Sequence, residues 1–397
     1  MTRSRSLRGL GLVLAGGLIH LAAMSARPAP AARDFLVYIG TYTGPKSQGI
    51  YVAHFDSATG KLGAPELAVQ TKNPSFLAIH PNHRWLYAVS EMSDFAGQRT
   101  GAVSSFTIEK TGKLTLLNQQ SSGGSGPCHV AVDRAGKCVL VANYGSGSVA
   151  ALPVEADGSL KPPAVSIQHH GSSVNPQRQA GPHAHFITTD PANRFALACD
   201  LGLDKVLVYR LAEPGTSPAA PLLAPNDPPS VSVTPGSGPR HLAFHPNGRF
   251  VYLLDEIAST FTVFAYDAQR GSLRELQTIS TLPSEFKGDN LCAEVQVDVA
   301  GKFVYGSNRG HDSIAVFAVD PSSGKLTLVE RVASQGKTPR YFALDPTGHW
   351  LLAENQESNN LVVFPVAAQT GRLGAPMQTV AVGSPVCAVF VPAGTVE

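Results

Sequence analysis

Apolar and polar positions along this chain come in short runs cut by turn residues. In "GSGPRHLAFHPNGRFVYLLDEIASTFTVFAYD", from Gly236 to Asp267, the run "HLAF" ends at a turn carrying Asn247-Gly248. A second run, "FVYLLDE", follows. A third, "STFTVFAYD", alternates apolar with polar, and a glycine turn leads into a fourth, "GSLRELQTIS". Alternation and short apolar runs bounded by Gly, Asn and Pro are the marks of strands joined by tight turns. Four strands in roughly 50 residues make one blade of a propeller.

The unit recurs. Similar segments start at Pro74 ("PSFLAIHPNHRWLYAVSE"), Pro127 ("PCHVAVDRAGKCVLVANY"), Pro182 ("PHAHFITTDPANRFALACD"), Pro239, Leu291 ("LCAEVQVDVAGKFVYGSN") and Pro339 ("PRYFALDPTGHWLLAENQ"). A seventh, "PVCAVFVP" from Pro385, runs out of chain. The N-terminal "FLVYIGTYTGPKSQGIYVAHF" has strands but no preceding first strand. The sequence therefore predicts an all-β, seven-bladed propeller with four antiparallel strands per blade. Its ring should be closed by "VCAVFV" pairing with "FLVYIG", which hides an otherwise open edge. Residues 32–397 are expected to form this single domain.

In such a ring the first strand of each blade lines the central channel. Its start and the end of the second strand share one face, because the two are antiparallel. Those positions are ionic or polar in this chain. The first strands bring His129, His183, His185, Arg240, His241, Glu294, Gln296 and Arg340; the second-strand ends bring Glu91, Asn143, Tyr144, Asp200, Asp255, Glu256, Asn308, Arg309, Asn355 and Gln356. Such groups at equivalent sites predict one pocket at a channel mouth. Two irregular segments interrupt the rhythm. "SIQHHGSSVNPQRQAGPHAHF", with Arg178, reads as a pocket loop, and the Pro/Ala/Ser-rich residues 211–238 read as a solvated insertion. "NYGSGSV" reads as a strand–strand turn.

Composition refines this picture. Charged residues are 15% of the 397, and the formal net charge is +2. No basic stripe is present, so no nucleic-acid partner is expected. The first residues place Arg3, Arg5 and Arg8 before an apolar stretch ending in small residues, with Ala26 or Ala29-Pro30-Ala31 as cleavage points. This reads as a secretory signal over residues 1–31, and hence as a periplasmic or secreted protein with no membrane association after cleavage. Its loss removes four arginines and turns +2 into −2. The five cysteines have no metal or disulfide spacing and read as small buried residues, with Cys128 and Cys138 one pair able to bridge. A closed ring needs no partner to hide its edges, so a monomer is expected.

His169, His170, His183 and His185, with Glu256 and Glu294, contain enough ligand types for a divalent cation. Arg240, Arg309 and Arg340 in the same pocket oppose one. Guanidiniums instead suit a carboxylate, a phosphate or a developing oxyanion. No metal and no cofactor are expected.

The segments "HHGSSVNPQRQAGPHAHF", "GPRHLAFHPNGRFVYLLDE", "AEVQVDVAGKFVYGSNRGHDSIAVF" and "PRYFALDPTGHWLLAENQESNNLVVF", with "YIGTYT" near the mature start, resemble the seven-bladed propeller lactonases. That family takes in propeller-type 6-phosphogluconolactonase and the fungal carboxy-muconate cyclase, and the resemblance spans residues 34–394. It implies a site of one histidine, two arginines and one glutamate: His183 or His185, Arg240, Arg309 and Glu256. It implies no metal requirement.

Lactone hydrolysis at these residues would use Glu256 as general base, with Glu294 as the alternative. Arg240 and Arg309 would hold the oxyanion, and His183 or His185 would protonate the leaving alkoxide. Arg340, Asn355 and Gln356 would bind the substrate's carboxylate, phosphate or hydroxyls, with Glu294, Arg178, His129 and Asn308 lining the pocket. Two other readings compete: a cyclase or isomerase running the reaction in reverse, and a non-catalytic exported propeller binding through rim loops such as 211–238.

Overall fold

Valine, leucine and alanine dominate the periodic runs, with phenylalanine and tyrosine among them, and each run forms a strand. The structure, a computed structural model, describes residues 34–212 and 221–395 besides the first two; the signal expected over 1–31 lies outside the described residues. The strands form seven antiparallel sheets arranged as blades. Blade 1 joins Pro385–Pro392 to Asp34–Thr41 and Gly49–Asp56, with Lys61–Leu62 and Glu66–Gln70 completing its outer edge. The expected ring closure is present: Leu36 pairs with Val391, Val37 with Phe390 and Tyr38 with Val389.

The inner two strands of the remaining blades follow in chain order. They are Leu77–Ile79 and Trp85–Ser90 in blade 2, Pro127–Val132 and Cys138–Asn143 in blade 3, and Ala184–Thr189 and Phe195–Asp200 in blade 4. Blade 5 has Pro239–Phe244 and Phe250–Asp255, blade 6 Leu291–Val297 and Phe303–Arg309, and blade 7 Pro339–Leu344 and Trp350–Asn355. All five cysteines are buried and unbridged, including Cys128 and Cys138. The "NYGSGSV" segment is the turn between Cys138–Asn143 and Ser148–Pro153.

The expected insertion over 211–238 is corrected by the structure. Leu223–Ser232 is the outer strand of blade 4, paired with Lys205–Leu211; residues 213–220 lie outside the described residues. An outer strand bonds on one side only, so it tolerates the prolines and polar residues that made this stretch read as a loop.

Aromatic side chains lock blade to blade at several seams. Trp85, at the start of the second strand of blade 2, lies under Gly158 in the last turn of blade 3, where an added Cβ would come within 2.3 Å of the indole. Tyr87, two residues on, donates its hydroxyl to the Gly158 carbonyl at 3.0 Å. Blade 6 repeats the lock against blade 7, with Phe303 under Gly371 and Tyr305 bonded to the Gly371 carbonyl at 2.9 Å. Gly158 has φ +88 and Gly371 φ +69, a region that costs side chains. Replacing Gly158 with alanine should therefore cost about 2–4 kcal/mol, from strain plus overpacking against Trp85. Urea denaturation of the variant measures it, and an unchanged midpoint would contradict this account of the seam.

Candidate active site

A first strand with strict alternation would send Arg240 and His241 to opposite faces. The register prevents this. Pro239 pairs with Asp255 and His241 with Leu254, so Arg240 is an extra, unpaired residue: a β-bulge. The same slip leaves Cys128, His185, Arg340 and Val386 unpaired in blades 3, 4, 7 and 1. In blade 6 it spans Ala293 and Glu294. Each bulge brings two consecutive residues to the channel. Cys128, His185, Arg240 and Arg340 form an upper tier, and Phe76, His129, His241, Glu294 and Tyr341 a lower one.

The second strands end with a regular pair. Thr41, Ser90, Asn143, Asp200, Asp255, Asn308 and Asn355 are buried at the last ladder position or next to it. Asn143 donates to the Ser122 carbonyl and Asn355 to the Ser334 carbonyl, both at 3.0 Å, while Asn308 accepts from Thr281 at 2.7 Å. These amides stitch one blade to the one before it. The structure therefore does not bring Asn308 and Asn355 to the pocket as expected. The residues that follow do reach the mouth, among them Tyr42, Glu91, Tyr144, Glu256 and Arg309.

Glu256 is the hub, only 4% exposed. One carboxylate oxygen accepts from Arg178. The other accepts from Arg240 Nε at 3.0 Å and lies 2.9 Å from Arg309 Nη2, with His185 Nε2 at 4.0 Å. Burial pushes this carboxyl up, but Arg309, Arg240, His185 and the bond from Arg178 outweigh it and hold it well below the ordinary carboxylate range. The guanidiniums are fixed in turn. Arg240 bonds the Ala293 carbonyl, and Arg309 bonds the Cys292 carbonyl at 2.9 Å. Burial first, then Arg309 and Arg340, bring Arg240 down to about 10.

Arg178 arrives on the loop between blades 3 and 4, as the sequence reading anticipated. Asp204 clips that loop, accepting from Ser173 at 2.5 Å and from the Gly236 and Gly238 amides at 2.6 and 2.7 Å. Gln179, fully buried, donates to the Leu201 carbonyl at 2.8 Å. Across the mouth, Arg340 donates to the Tyr42 hydroxyl at 3.1 Å, and Tyr42 donates to Glu91 at 2.8 Å. Four guanidiniums thus face two carboxylates, Glu256 and Glu91.

The histidines separate into distinct settings. His183 lies at the lip, stacked on Tyr144 with ring centroids 4.4 Å apart. Its backbone amide is held by Asp200 at 2.8 Å, and its Nδ1 is 3.0 Å from the Tyr144 carbonyl oxygen. A carbonyl only accepts, so Nδ1 carries the hydrogen and Nε2 of the neutral ring carries a lone pair. His185 is buried, and burial and Arg240 hold it well below the usual histidine range. His129 lies lower, between Phe76 at 4.2 Å and Phe186 at 4.1 Å, and burial and Arg240 pull it down to about 3. His169 does not join the others: Asp200 and Tyr209 hold it at 2.6 and 2.8 Å within blade 4, and His170 is exposed.

Beneath Arg240, His241 Nδ1 is 2.7 Å from Glu294, and its buried Nε2 has no hydrogen-bond partner among the described residues. Burial moves both groups toward neutrality: Glu294 up to about 8, and His241 well below its usual range. The neutral pair is then a carboxylic acid donating to Nδ1, with the second hydrogen on Nε2. Tyr42 and this His241–Glu294 pairing were missed in the sequence. The readable signal for Tyr42 was its place after Thr41, equivalent to Glu256 after Asp255.

Comparison with known proteins agrees with this architecture. A family model described as "Lactonase, 7-bladed beta-propeller" matches residues 36–390. A 6-phosphogluconolactonase of Bacillus subtilis is 40% identical over 358 residues, 90% of this chain and 98% of that protein. One of Formosa agariphila is 32% identical over 341 residues, 85% of this chain and 94% of that protein. The solved structure of a periplasmic gluconolactonase from Pseudomonas aeruginosa superposes with a TM-score of 0.85 at 39% identity, covering 90% of this chain and 99% of the other. With a match of this length and relatives this similar end to end, the chain belongs to the seven-bladed β-propeller lactonases.

Proposed function

We propose that the protein hydrolyses a sugar-type lactone at this mouth by general acid–base chemistry assembled from side chains. The observation that carries the reading is the Glu256 hub. It fixes three guanidiniums whose remaining N–H groups are ready for negative charge before any develops. Lactone hydrolysis develops such charge on one oxygen, and preorganised donors at that oxygen contribute roughly 3–4 kcal/mol each.

The proton work is best assigned to His183, with Glu256 as anchor. A carboxylate locked by three guanidiniums is a weak base, and a protonated Glu294 is none at neutral pH. His183 Nε2 has a lone pair at the open lip. It takes a proton from water as the water oxygen adds to the carbonyl carbon, and the carbonyl electrons move onto the oxygen held by Arg240 and Arg309. Collapse breaks the bond to the ring oxygen, which leaves as an alkoxide and takes the proton from His183. The products are a hydroxyl and a carboxylic acid that ionises. His185, neutral and buried, orders the hub; Arg340 and Gln356 are free to hold substrate hydroxyls or an anionic substituent.

We read the chain as exported. The basic, apolar and small-residue order of residues 1–31 supports this, and so does the periplasmic setting named for the Pseudomonas relative. Phosphorylated sugars are scarce outside the cytoplasm, so an unphosphorylated lactone suits that setting better than a 6-phosphate.

Replacing His183 with alanine should lower kcat by about a hundredfold or more. Added imidazole should restore part of it, because the lip is open to solvent. A small effect, or no rescue, would move the proton work elsewhere. The Glu294–His241 pair has its own pH signature. Below about 8 the pair is neutral and Nε2 is a donor in the channel; above it the pair loses a proton and Nε2 becomes an acceptor. Activity that uses this donor should fall as pH rises through that value. In Glu294→Gln the alkaline limb should flatten, and an unchanged limb would show that the pair does not serve the reaction.

A further inference from the structure

A second opening lies beside the mouth, between blades 7 and 1, and apart from Gln356 on its lining the hydrolytic scheme leaves it unused. The cavity enclosed in the channel beside Arg240, His241 and Arg340 has room for about one water, roughly 10 Å³. The neighbouring cleft is about 390 Å³, within the range of pockets that hold a whole small molecule. The two share a wall. Tyr42 lines both, and its hydroxyl is the one that joins Arg340 to Glu91. A lactone ring seated over the arginines would therefore have this cleft at its side.

The cleft's chemistry differs from that of the mouth. Its frame is rigid: Thr43 is bonded to Asn73 at 2.9 Å, and Asn359 spans the Ser384 amide at 3.1 Å and the Glu357 carbonyl at 2.9 Å. Three long polar side chains on its lining, Lys46, Glu357 and Gln356, have no side-chain partner among the described residues. One cation, one anion and one amide give no net charge. They offer donors and acceptors together, which matches neighbouring hydroxyls and not a phosphate.

We propose that this cleft is a subsite for a neutral glycosyl unit attached to the lactone. The preferred substrate is then the aldonolactone at the oxidised end of a disaccharide. This rests on the lactonase reading and narrows its substrate class. The reaction that supplies such a substrate is the two-electron oxidation of a reducing sugar's C1 hemiacetal, by an oxidoreductase that passes the electrons to its own acceptor.

The test compares glucono-1,5-lactone with its 4-O-glucosyl form, cellobiono-1,5-lactone, by pH-stat with spontaneous hydrolysis subtracted. The wild-type protein should show roughly tenfold higher kcat/KM on the disaccharide lactone. Gly44 lines the cleft, an added Cβ there meets nothing within 4 Å, and its φ is not positive, so the backbone accepts a side chain at this position and Gly44→Trp is the variant chosen to fill the cleft. That variant, and the double variant Lys46→Ala with Glu357→Ala, should bring the ratio of the two kcat/KM values toward one. Equal kcat/KM in the wild type, or a preference that survives both variants, overturns the subsite. If neither lactone is turned over, the lactonase reading fails instead. The subsite is then judged by calorimetry with cellobionate: binding to the wild type and not to Gly44→Trp supports it, and no difference between them overturns it.

Discussion

A buried carboxylate among buried guanidiniums is the constraint on which this site depends. Neither Glu256 nor Arg240 could be sealed from water alone, since the effective cost for an unpaired ion is several kcal/mol. Together they are tolerated, and the pairing fixes geometry as well as charge. Glu256 takes Arg240 from its own blade, Arg309 from the next and Arg178 from a loop. Three separate parts of the chain thereby converge on one carboxylate. The hub leaves an excess of positive charge at the mouth, and that excess is what a developing oxyanion can use.

The bulges make the hub geometrically feasible. In a regular ladder each first strand would offer the channel every second residue. The extra residue at Arg240, His185 and Arg340 gives two consecutive ones. The upper tier can then be ionic while the lower tier stays aromatic or neutral, with Phe76, His129 and Phe186 stacked below. That floor leaves room for only about one water beside Arg240 and Arg340. It also explains why the histidines differ: His183 is left at the wet lip, while His129 and His241 are held neutral by burial.

The fold was legible in the sequence because turn residues recur at near-constant intervals, and even the ring closure followed from an orphan strand at each end. The site was legible as a set of blade positions but not as individual roles. Arg240, Glu256, Arg309 and His185 were singled out because they occupy equivalent places, and the structure brings the four side chains together. Asn308 and Asn355 occupy places one residue earlier than the mouth, and only the ladder register shows that their amides serve the seams. Arg178 could be assigned only to a loop, since nothing in "SSVNPQRQ" tells which carboxylate it meets. The base role expected of Glu256 gives way to an anchoring role in our proposal because Arg178, Arg240 and Arg309 surround its carboxylate, and how many guanidiniums surround a carboxylate is a property of the folded ring. The outer strand Leu223–Ser232 was hidden by prolines that an edge position permits.

The most direct test of the account is lactone hydrolysis by the protein and by its Glu256→Gln variant, followed by pH-stat with and without chelator. Glutamine keeps the shape of the hub and removes the charge that orders three arginines. The account predicts wild-type turnover that survives chelator, and a loss of kcat/KM by roughly a hundredfold or more in the variant while it keeps the native β-sheet spectrum. A folded Glu256→Gln variant with wild-type turnover would contradict the claim that this carboxylate and its arginines are the working centre.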